Sequence, residues 1–337
     1  MKKNLVILNN EKIFEDNNDF YCDNLDLKVV PEGLNNFFEV CYIVRNSKKK
    51  GKQKINLQNI KVASNIFKFV YFILKTFKKK NTNYLLISIT PYTFISFLIL
   101  FLFRKKTFIY LWSSGHEEWE HILGKWSVWI YHLMYLIVTS GSEVIVCHSR
   151  LGNKKSHLVS ISRLDNLWFQ NHKKVLLDKV RFLYVGRMSP EKGIFKFLDM
   201  YEELNFNTEF SIVGSAKSDL IKNKKTIQLL GYVSDPNSLI SIYDNHNIVV
   251  LPSFTEGYPY VVDESLSRKR PVIVFEDIDY IVRDKKGIYV SKRDVASFSK
   301  TVKYIIDNYP EVQRNIEKNN LPTRESMLKQ ISNIIGT

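Results

Sequence analysis

The stretch LYVGRMSPEKGIFKFLDM, residues 183–200, decides the fold because it joins the end of an apolar strand to the start of an amphipathic helix. The apolar run stops at Gly186, where glycine allows a sharp backbone turn, and the helical pattern begins after Gly193. Between the two glycines lie Arg187, a forked donor, and Lys192, a point charge. The pair suits a diphosphate, and a strand-to-helix loop with two solvated cations explains it equally well. The stretch predicts a βα unit whose loop can bind an anion.

Strand and helix patterns alternate in the same way through both halves of the chain. The first half contains the strand patterns NLVIL, FFEVCYIV, YLLISI, TFIYL and EVIVC, with helix patterns at 57–77 and 126–137. The second half contains VRFLYV, FSIV, TIQLL, NIVVL and PVIVF, with helices that start at Ile194, Pro236 and Pro259. Such alternation indicates parallel sheets. We therefore predict an α/β fold with two Rossmann-like parallel-sheet domains that face each other across a cleft.

The length of the chain agrees with two domains. It has 337 residues, and chains of this length usually form more than one hydrophobic core. Of these residues, 45% are hydrophobic. A weakly patterned stretch at 165–178 separates the two halves, so we place the domains at 1–168 and 169–320. Residues 321–337 form a further helix that can cross back to the first domain.

The composition favours a cytosolic protein with an anionic partner. A net charge of +15 suits nucleic acid, an acidic membrane surface or a phosphorylated small molecule. Cys22, Cys41 and Cys147 lie in or near apolar runs, which is typical of reduced core thiols. The apolar run before Asn9 is too short for a signal peptide and predicts a first strand.

One segment, YLLISITPYTFISFLILFLFRKK from Tyr84, has about 20 uncharged residues, the length that spans a bilayer. Pro91 interrupts it, and the two sides differ, since the first is β-rich and the second is helical. We predict a buried strand at 84–89 and a buried or membrane-touching helix at 92–103. The basic runs at 78–80 and 104–106 would suit an anionic bilayer surface.

A second stretch, VVLPSFTEGYPYVVDESLSRKRPVIVF, supports the anion-binding interpretation. A strand ends at Pro252, a loop carries Glu256 and Gly257, and Pro259 suits the first position of a helix. Glu264 falls about one turn into that helix. Both carboxylates therefore lie near an amide-rich helix start that favours a phosphate. The cations at 268–270 are expected to cap the negative end of the helix.

These residues carry a resemblance to a known family. Glu256 and Glu264 enclose seven residues, with EGYP at the start and PVIV shortly after, which resembles the E-x7-E signature of retaining glycosyltransferases with the GT-B fold. YVGRMSPEKG is similar to the donor diphosphate loop of the same group, and LLGYVSDPNSLISIYDNHNIVVLPS resembles the segment between the two. Over residues 180–275 the chain thus resembles glycosyltransferase family 4, the glycosyl transferases group 1.

The resemblance implies that residues 169–320 bind a nucleotide-sugar donor and that residues 1–168 bind the acceptor. Arg187 and Lys192 would neutralise the donor diphosphate. Glu256 would bind the sugar hydroxyls, and Glu264 would bind the ribose. The other residues implied to contact the donor are Gly186, Gly257, Tyr258, Pro259 and Tyr260, together with Tyr232 and Val233, which would flank the base.

Chemistry without a metal agrees with these roles. Cleavage of the bond to a nucleoside diphosphate builds negative charge on the leaving group, which two cations and a helix amino terminus can stabilise. No metal-ligand cluster is evident in the sequence, and no cofactor is expected besides the nucleotide-sugar substrate. Asp277-Ile278-Asp279 imitates a metal-binding D-x-D motif in the wrong context, so we interpret it as an ordinary loop.

The acceptor side offers FIYLWSSGHEEWEHILGKW, a strand followed by a turn of small residues and an acidic cluster. Gly-His at this place is similar to the family's loop beside the donor sugar, which makes His116 a catalytic candidate. Gly115 and Glu117 are candidates for acceptor binding. A helix amino terminus with favourably placed glutamates explains the same residues. After the first strand the family's glycine-rich turn is replaced by LNNEKIFEDNNDFYCDN, where Glu11 is a further acceptor candidate or loop surface.

The sequence therefore predicts a retaining, metal-independent glycosyltransferase, peripheral to the cytoplasmic face of the inner membrane. It would move a hexose-type sugar to a glycan or lipid-linked acceptor in lipopolysaccharide or capsule synthesis. A nucleotide-sugar epimerase on the same fold would explain the architecture but not the E-x7-E loop. A basic nucleic-acid-binding protein would explain the charge, although no nucleic-acid motif is present and no such partner is expected. A dehydrogenase is disfavoured because no G-x-G-x-x-G follows a strand.

Overall fold

The computed structural model describes residues 2–205, 207–214 and 227–337, with only the backbone of residue 121. These residues divide into two compact units. The first unit comprises Met1–Ile161 with Glu325–Thr337, and the second comprises Ser162–Arg324. The chain leaves the first unit after Ile161, seven residues before the boundary placed from the sequence, and returns to it after Arg324.

The first unit is built on a parallel sheet in which β1 lies between β3 and β6. Its strands are β1 (Asn4–Asp16), β2 (Asp19–Cys22), β3 (Glu39–Asn46), β4 (Gln53–Ile55), β5 (Ile60–Ala63), β6 (Thr82–Ile87), β7 (Thr107–Leu111), β8 (Glu143–Val146) and β9 (His157–Leu158). The parallel order is β5-β3-β1-β6-β7-β8-β9, and β2 and β4 extend the sheet in antiparallel fashion. The chain order reverses between β1 and β6, which is where ligands of such sheets bind.

The α-helices that alternate with the described strands of the first unit are α1 (Asp26–Leu34), α2 (Ile66–Thr76), α3 (Pro91–Leu102), α4 (Gly115–Leu123) and α5 (Trp126–Gly141). Three of them, α2, α3 and α5, contribute to one core with the sheet, through side chains such as Phe69, Phe97 and Met134. The three helices therefore lie side by side on the same face of the sheet.

Two expectations about the first unit are wrong. The helix pattern at 57–77 is a helix only from Ile66, since Ile60–Ala63 pairs with β3 and the Asn65 side chain caps α2 by accepting from the Lys68 amide at 2.9 Å. The first strand runs well past Asn9, because Asn17 and Asn18, with φ of 48° and 68°, form a tight turn into β2. Positive φ at both positions is the type I′ geometry that matches the strand twist.

The second unit contains a six-stranded sheet that is parallel throughout. Its elements are β10 (Val180–Val185), α6 (Ile194–Glu202), β11 (Thr208–Val213), β12 (Ile227–Gly231), α7 (Pro236–Asp244), β13 (Ile248–Leu251), α8 (Tyr260–Ser267), β14 (Val272–Phe275), β15 (Ile288–Ser291), α9 (Val295–Asp307) and α10 (Tyr309–Ile316). The strand order is β12-β11-β10-β13-β14-β15. Here the chain order reverses between β10 and β13. The predicted α/β class with two parallel-sheet domains is confirmed.

The last helix, α11 (Arg324–Gly336), packs within the first unit. The Asn83 amide donates to the carbonyl of Ile335 at 2.7 Å, and the Ser160 backbone amide donates to the Gln330 side chain at 3.0 Å. Ile331 and Ile335 are fully buried, so the helix contributes to the core of that unit.

Two of the three cations at the end of α8 are core residues, which corrects the expectation that all three cap the end of the helix. Arg268 and Arg270 are fully buried. Arg268 binds Asp244 through two hydrogen bonds of 3.0 and 2.7 Å and donates to three main-chain carbonyls between residues 168 and 171. Arg270 donates to the carbonyls of Asp244 and His246. Together they fix α8 to α7 and to the segment that enters the second unit.

Among the described residues, none of the helices combines the length and the apolar character needed to cross a bilayer. The uncharged segment from Tyr84 is divided between β6 and α3, as predicted. Pro91 occupies the first turn of α3, and Thr90 and Thr93 form a capping box at its start.

Candidate functional site

The two motif loops of the second unit follow β10 and β13, the neighbouring strands between which the chain order reverses. Ligands of open parallel sheets bind at the carboxyl ends of such strands. The loop after β10 begins at Gly186 and ends at Gly193, and the loop after β13 runs from Pro252 to Pro259. The fold therefore brings the two sequence motifs to one place.

Gly193 allows the loops to touch. Its φ is +62°, and a Cβ on this residue would lie 1.9 Å from the carbonyl oxygen of Pro252. Any larger residue would be strained by its φ and would push the two loops apart. The backbone amide of Phe254 also donates to the carbonyl of Glu191 at 3.0 Å. The contact is thus built from main-chain atoms and fixes the spacing of the side chains on both loops.

Lys192 and Glu256 meet at this contact. The Lys192 ammonium donates to Glu256 Oε1 at 2.7 Å, and the Ser253 hydroxyl donates to the same oxygen at 2.6 Å. The Lys192 side chain is 20% exposed and that of Glu256 is 9% exposed. The pair is therefore only partly desolvated, and the cation still reaches solvent where a ligand could bind.

Arg187 lies on the exposed side of the same loop. Its side chain is 75% exposed, and its guanidinium is 3.7 Å from the carboxylate of Glu191. The Tyr184 hydroxyl donates to the Arg187 carbonyl at 2.6 Å and fixes the backbone where the loop leaves β10. Burial raises the pKa of Tyr184, so this hydroxyl stays a donor. Arg187 therefore presents an exposed guanidinium on a fixed backbone.

Two residues that support Glu256 were missed in the sequence. The Glu256 backbone amide donates to the Tyr280 hydroxyl oxygen at 3.0 Å, and that hydroxyl donates to the Glu256 carbonyl at 2.5 Å. Arg293 donates to the carbonyls of Pro252 and Ser253 and packs against Phe254. Tyr280 follows the D-x-D imitation and Arg293 lies in a segment without a motif, and nothing in either local sequence indicates a contact with the loop of Glu256.

The D-x-D imitation, Asp277-Ile278-Asp279, supports the loop after β13 through Arg293, which contacts both. Asp277 accepts from Arg293 at 2.6 Å, and Ile278 is fully buried. Within the described residues no group of three or more His, Cys, Asp or Glu side chains is arranged to hold a metal ion.

Glu264 is buried in the middle of α8. The Tyr243 hydroxyl donates to its Oε2 at 2.7 Å. Burial raises the pKa of this carboxyl, while the Tyr243 hydrogen bond and the positive charge of Arg163 oppose the rise. Pro259 is the residue before the first turn of α8, rather than the first helical residue that we expected. A carboxylate fixed through one oxygen can accept hydroxyl groups with the other.

The aromatic residues between the two glutamates are held by charged groups. The Tyr258 hydroxyl donates to Asp263 at 2.6 Å, and Lys285 pairs with the same carboxylate. The Arg163 guanidinium lies 3.9 Å from the centre of the Tyr260 ring. Gly257 faces open space, since a Cβ there would meet no atom within 4 Å.

The predicted base-flanking residues, Tyr232 and Val233, directly follow β12. Tyr232 is half exposed, and Val233 is partly buried against the core of the second unit. Gly231, with φ of +71°, turns the chain just before them. On the neighbouring strand a Cβ at Gly214 would lie 1.9 Å from the carbonyl oxygen of Gly186, so the backbones approach closely beside the loop after β10.

The first unit has a polar cavity of about 250 Å³ at its own point of strand reversal. Its walls include Glu11 and Gly115, which are 104 residues apart and were both predicted to bind the acceptor. Glu117 is exposed and does not line the cavity, whereas the neighbouring Glu118 does. The other lining residues are Asn9, Asn10, Asn24, Ile87, Ser88, Ile89, Thr90, Leu111, Trp112, Ser113, Trp119 and Tyr131.

Gly115 and His116 form the first turn of α4, which Ser114 caps by accepting from the Glu117 amide. A Cβ at Gly115 would lie 2.1 Å from the hydroxyl of Tyr131, so only glycine fits. His116 Nε2 is 3.2 Å from His132 Nδ1. Burial and then the positive charge of His132 lower the pKa of His116, while Glu117 raises it. The result is a neutral imidazole at ordinary pH, which can accept or donate one proton.

Residues 179–308 match the protein family described as Glycosyl transferases group 1. The chain is also similar to the capsular polysaccharide biosynthesis glycosyltransferase CapM of Staphylococcus aureus, with 27% identity over 154 residues, 41% of this chain and 40% of CapM. The alpha-D-kanosaminyltransferase of Streptomyces kanamyceticus is 27% identical over 161 residues, 43% of this chain and 41% of that protein. The chain thus spans less than half the length of these two relatives. The family match confirms a glycosyltransferase domain within residues 169–320, where the sequence predicted one.

Two solved structures are similar over the whole chain. HepE of Anabaena in complex with UDP has 12% sequence identity and a TM-score of 0.74 with full coverage of both chains. The lipopolysaccharide outer core galactosyltransferase WaaB has 14% identity and a TM-score of 0.64, with 99% of both chains covered. At this identity the likeness shows the fold, and the predicted GT-B class is confirmed.

Proposed function

We propose that this chain is a retaining glycosyltransferase of family 4 that transfers a hexose-type sugar from a nucleotide-sugar donor to a glycan or lipid-linked acceptor. The observation that carries the proposal is the contact between Lys192 and Glu256, which joins the two motif loops at the strand reversal of the second unit. CapM, WaaB and the UDP complex of HepE support surface polysaccharide synthesis with a nucleotide-sugar donor.

The donor diphosphate would bind between the two loops. Lys192 still reaches solvent, and Arg187 extends its guanidinium on the same loop. Two cations that face a leaving diphosphate stabilise the charge that develops as the glycosidic bond breaks. We propose that they do this without a divalent metal.

Glu256 and Glu264 would hold opposite ends of the donor. Oε1 of Glu256 already accepts from Lys192 and Ser253, so the carboxylate is fixed in position and suited to accept sugar hydroxyls. Glu264, fixed by Tyr243, would accept the ribose hydroxyls. Because no residue of this network is placed as a covalent nucleophile, we propose same-face attack by the acceptor, with the leaving phosphate as base.

The acceptor would bind in the cavity of the first unit. Its described walls combine two carboxylates, three asparagines and three large aromatic rings, and they include no Lys, Arg or His. Amides, carboxylates and ring faces suit the hydroxyls and the apolar faces of a sugar, and the absence of cations disfavours a phosphate there. We therefore propose that a neutral or amine-bearing glycan unit enters this cavity, with neutral His116 beside it as a proton acceptor.

We propose that the protein acts at the cytoplasmic face of a membrane, because a lipid-linked acceptor would lie there and the charge of +15 would attract anionic lipids. The epimerase alternative is not favoured, because CapM and the alpha-D-kanosaminyltransferase are named as enzymes that transfer sugars.

A thermal denaturation series tests the proposal. The purified chain is heated with a panel of nucleoside diphosphates and nucleotide sugars in EDTA, since a ligand of the native state raises the midpoint. We expect one nucleotide to raise it in the wild type and to have a much smaller effect in Arg187→Ala. A panel without any shift, together with a shift by nucleic acid, would replace the proposal with the nucleic-acid-binding alternative.

A further inference from the structure

The outer surfaces of α2, α3 and α5 have an inverted polarity. Ser96 is the one polar residue of the sequence 94–103, and it points into the core, where its hydroxyl donates to the carbonyl of Tyr92 at 2.7 Å. Opposite it, Phe101 and Leu102 are more than half exposed. An ordinary surface helix shows the reverse arrangement, with its polar residues toward water.

The same inversion occurs in α5. Ser127 is fully buried and donates to the carbonyls of Trp119 and Gly124. Trp126 and Trp129 are each more than 60% exposed. They are followed on the same side of the helix by two half-exposed leucines, Leu133 and Leu136, at spacings of four and three residues.

In α2 the exposed apolar residues are Phe67, Tyr71 and Leu74, again at helical spacing. Because α2, α3 and α5 lie side by side on one face of the sheet, their outward sides form one surface. We call this surface the apolar face and define it by Phe67, Tyr71, Leu74, Leu98, Phe101, Leu102, Trp126, Trp129, Leu133 and Leu136. An exposed apolar area of this kind marks a binding surface.

Cations lie along the α2 and α3 side of the apolar face and at the shared end of these two helices. The sequence 66–106 contains eight Lys or Arg residues and no Asp or Glu. The rings of Phe77 and Phe103 are 5.1 Å apart, which places the ends of α2 and α3 together and joins the basic runs 78–80 and 104–106. Lys79 and Lys106 pair with Glu39 and Glu143. Most of the positive charge therefore has no acidic neighbour along these helices.

We propose that the apolar face docks on an anionic lipid bilayer, with Trp126 and Trp129 inserted among the acyl chains and the basic runs 78–80 and 104–106 on the headgroups. Tryptophan prefers the membrane interface, and lysines beside an apolar surface bind anionic lipids. The 12-residue α3 lies along the surface and does not cross it. A second copy of the chain is the less favourable occupant, since pairing two such faces would bring like charges together.

The surface makes no use of the donor or acceptor residues, so it can be tested without any sugar substrate. The full chain is mixed with vesicles of phosphatidylcholine alone or with one third phosphatidylglycerol, and the bound fraction is measured by flotation. We expect binding at least about tenfold tighter to the anionic vesicles, weakened by high salt.

Two pairs of matched variants assign the binding to this surface. Trp126→Ser with Trp129→Ser should weaken binding by about tenfold or more, whereas the exposed leucines elsewhere, in Leu158→Ser with Leu176→Ser, should not. Lys78→Gln, Lys80→Gln and Arg104→Gln together should remove the preference for anionic vesicles. The same change at Lys48, Lys49 and Lys52, in the loop before β4, should leave most of it.

Brominated lipids supply a second readout, because they quench tryptophans that reach the acyl chains. Quenching should occur in the wild type and be largely lost in the double tryptophan variant. Equal binding by that variant would overturn the proposal, as would equal binding to neutral vesicles. A dimer in solution that the tryptophan substitutions dissociate, without vesicle binding, would show that a second copy covers the apolar face. Unchanged thermal midpoints in all variants exclude misfolding.

Discussion

Replacement of Lys192 by alanine should separate its structural role from its role toward the donor. At 2.7 Å and an effective dielectric constant of about 20, the attraction between Lys192 and Glu256 is about 6 kcal/mol before desolvation. Removing one partner of a fully buried pair costs about 3–5 kcal/mol of unfolding free energy. Because Lys192 is 20% exposed, Lys192→Ala should lose about 3 kcal/mol or less.

The donor role predicts a separate loss in binding. A hydrogen bond to a charged group contributes about 1.5–3 kcal/mol, so Lys192→Ala should bind the nucleoside diphosphate roughly ten- to a hundredfold more weakly. Glu256→Gln frees the ammonium from its partner and should bind the same nucleotide at least as tightly as the wild type. The double variant should regain stability, because no charge is left unpaired, and should still bind the nucleotide weakly.

Isothermal titration calorimetry of the four proteins, with urea unfolding in parallel, measures both quantities. Lys196→Ala, an exposed lysine one turn into α6, serves as the control and should change neither. Turnover by Lys192→Ala should fall about a hundredfold or more, since the charge on the leaving group loses a donor. Nucleotide affinity in Lys192→Ala within threefold of the wild type, or its recovery in the double variant, would refute the donor role.

Three further predictions concern single residues. Burial raises the pKa of Glu264, so the folded state loses stability as pH rises from the pKa of the unfolded carboxyl to the raised pKa of the folded one, and the loss is complete above the latter. Glu264→Gln should therefore raise the melting temperature at neutral pH, by a margin that shrinks toward pH 4. It should also weaken nucleotide binding about tenfold, and unchanged affinity would contradict the ribose role. Gly115→Ala should cost about 1–3 kcal/mol in chemical denaturation, because its methyl group would meet the ring of Tyr131, and a neutral result would mean that the ring can move. His132→Gln should raise the pKa of His116, measured by NMR titration of the imidazole, because a positive neighbour is removed; an unchanged pKa would mean that burial alone depresses it.

The pattern of strands and the motif loops could be predicted because each depends on a few neighbouring residues. Gly186 ends β10, Pro91 opens α3, and the alternation of strand and helix patterns gives the parallel sheets. The meeting of Lys192 with Glu256 could not be predicted from local patterns, since the two residues are 64 positions apart. Their supports, Tyr280 and Arg293, are joined to them only by the fold.

The errors have physical causes. The cations after α8 were expected to cap the helix because basic residues are favourable near its negative end, yet Asp244 and several carbonyls satisfy Arg268 and Arg270 inside the core. The turn at Asn17-Asn18 has a local signal, two adjacent asparagines, which adopt positive φ more readily than most residues. The strand Ile60–Ala63 was assigned to a helix because its four residues are too few to show a period of two against the helix that follows.

The position of α11 has a consequence for synthesis of the protein. The first unit takes its last core side chains, among them Met327, Ile331 and Ile335, from residues that follow the entire second unit along the chain. On the ribosome, the part made first must therefore wait, incompletely packed, while the 163 residues of Ser162–Arg324 are added. A chain shortened by its last 13 residues, Glu325–Thr337, should thus expose apolar surface in the unit translated first, while the unit translated last keeps its own core.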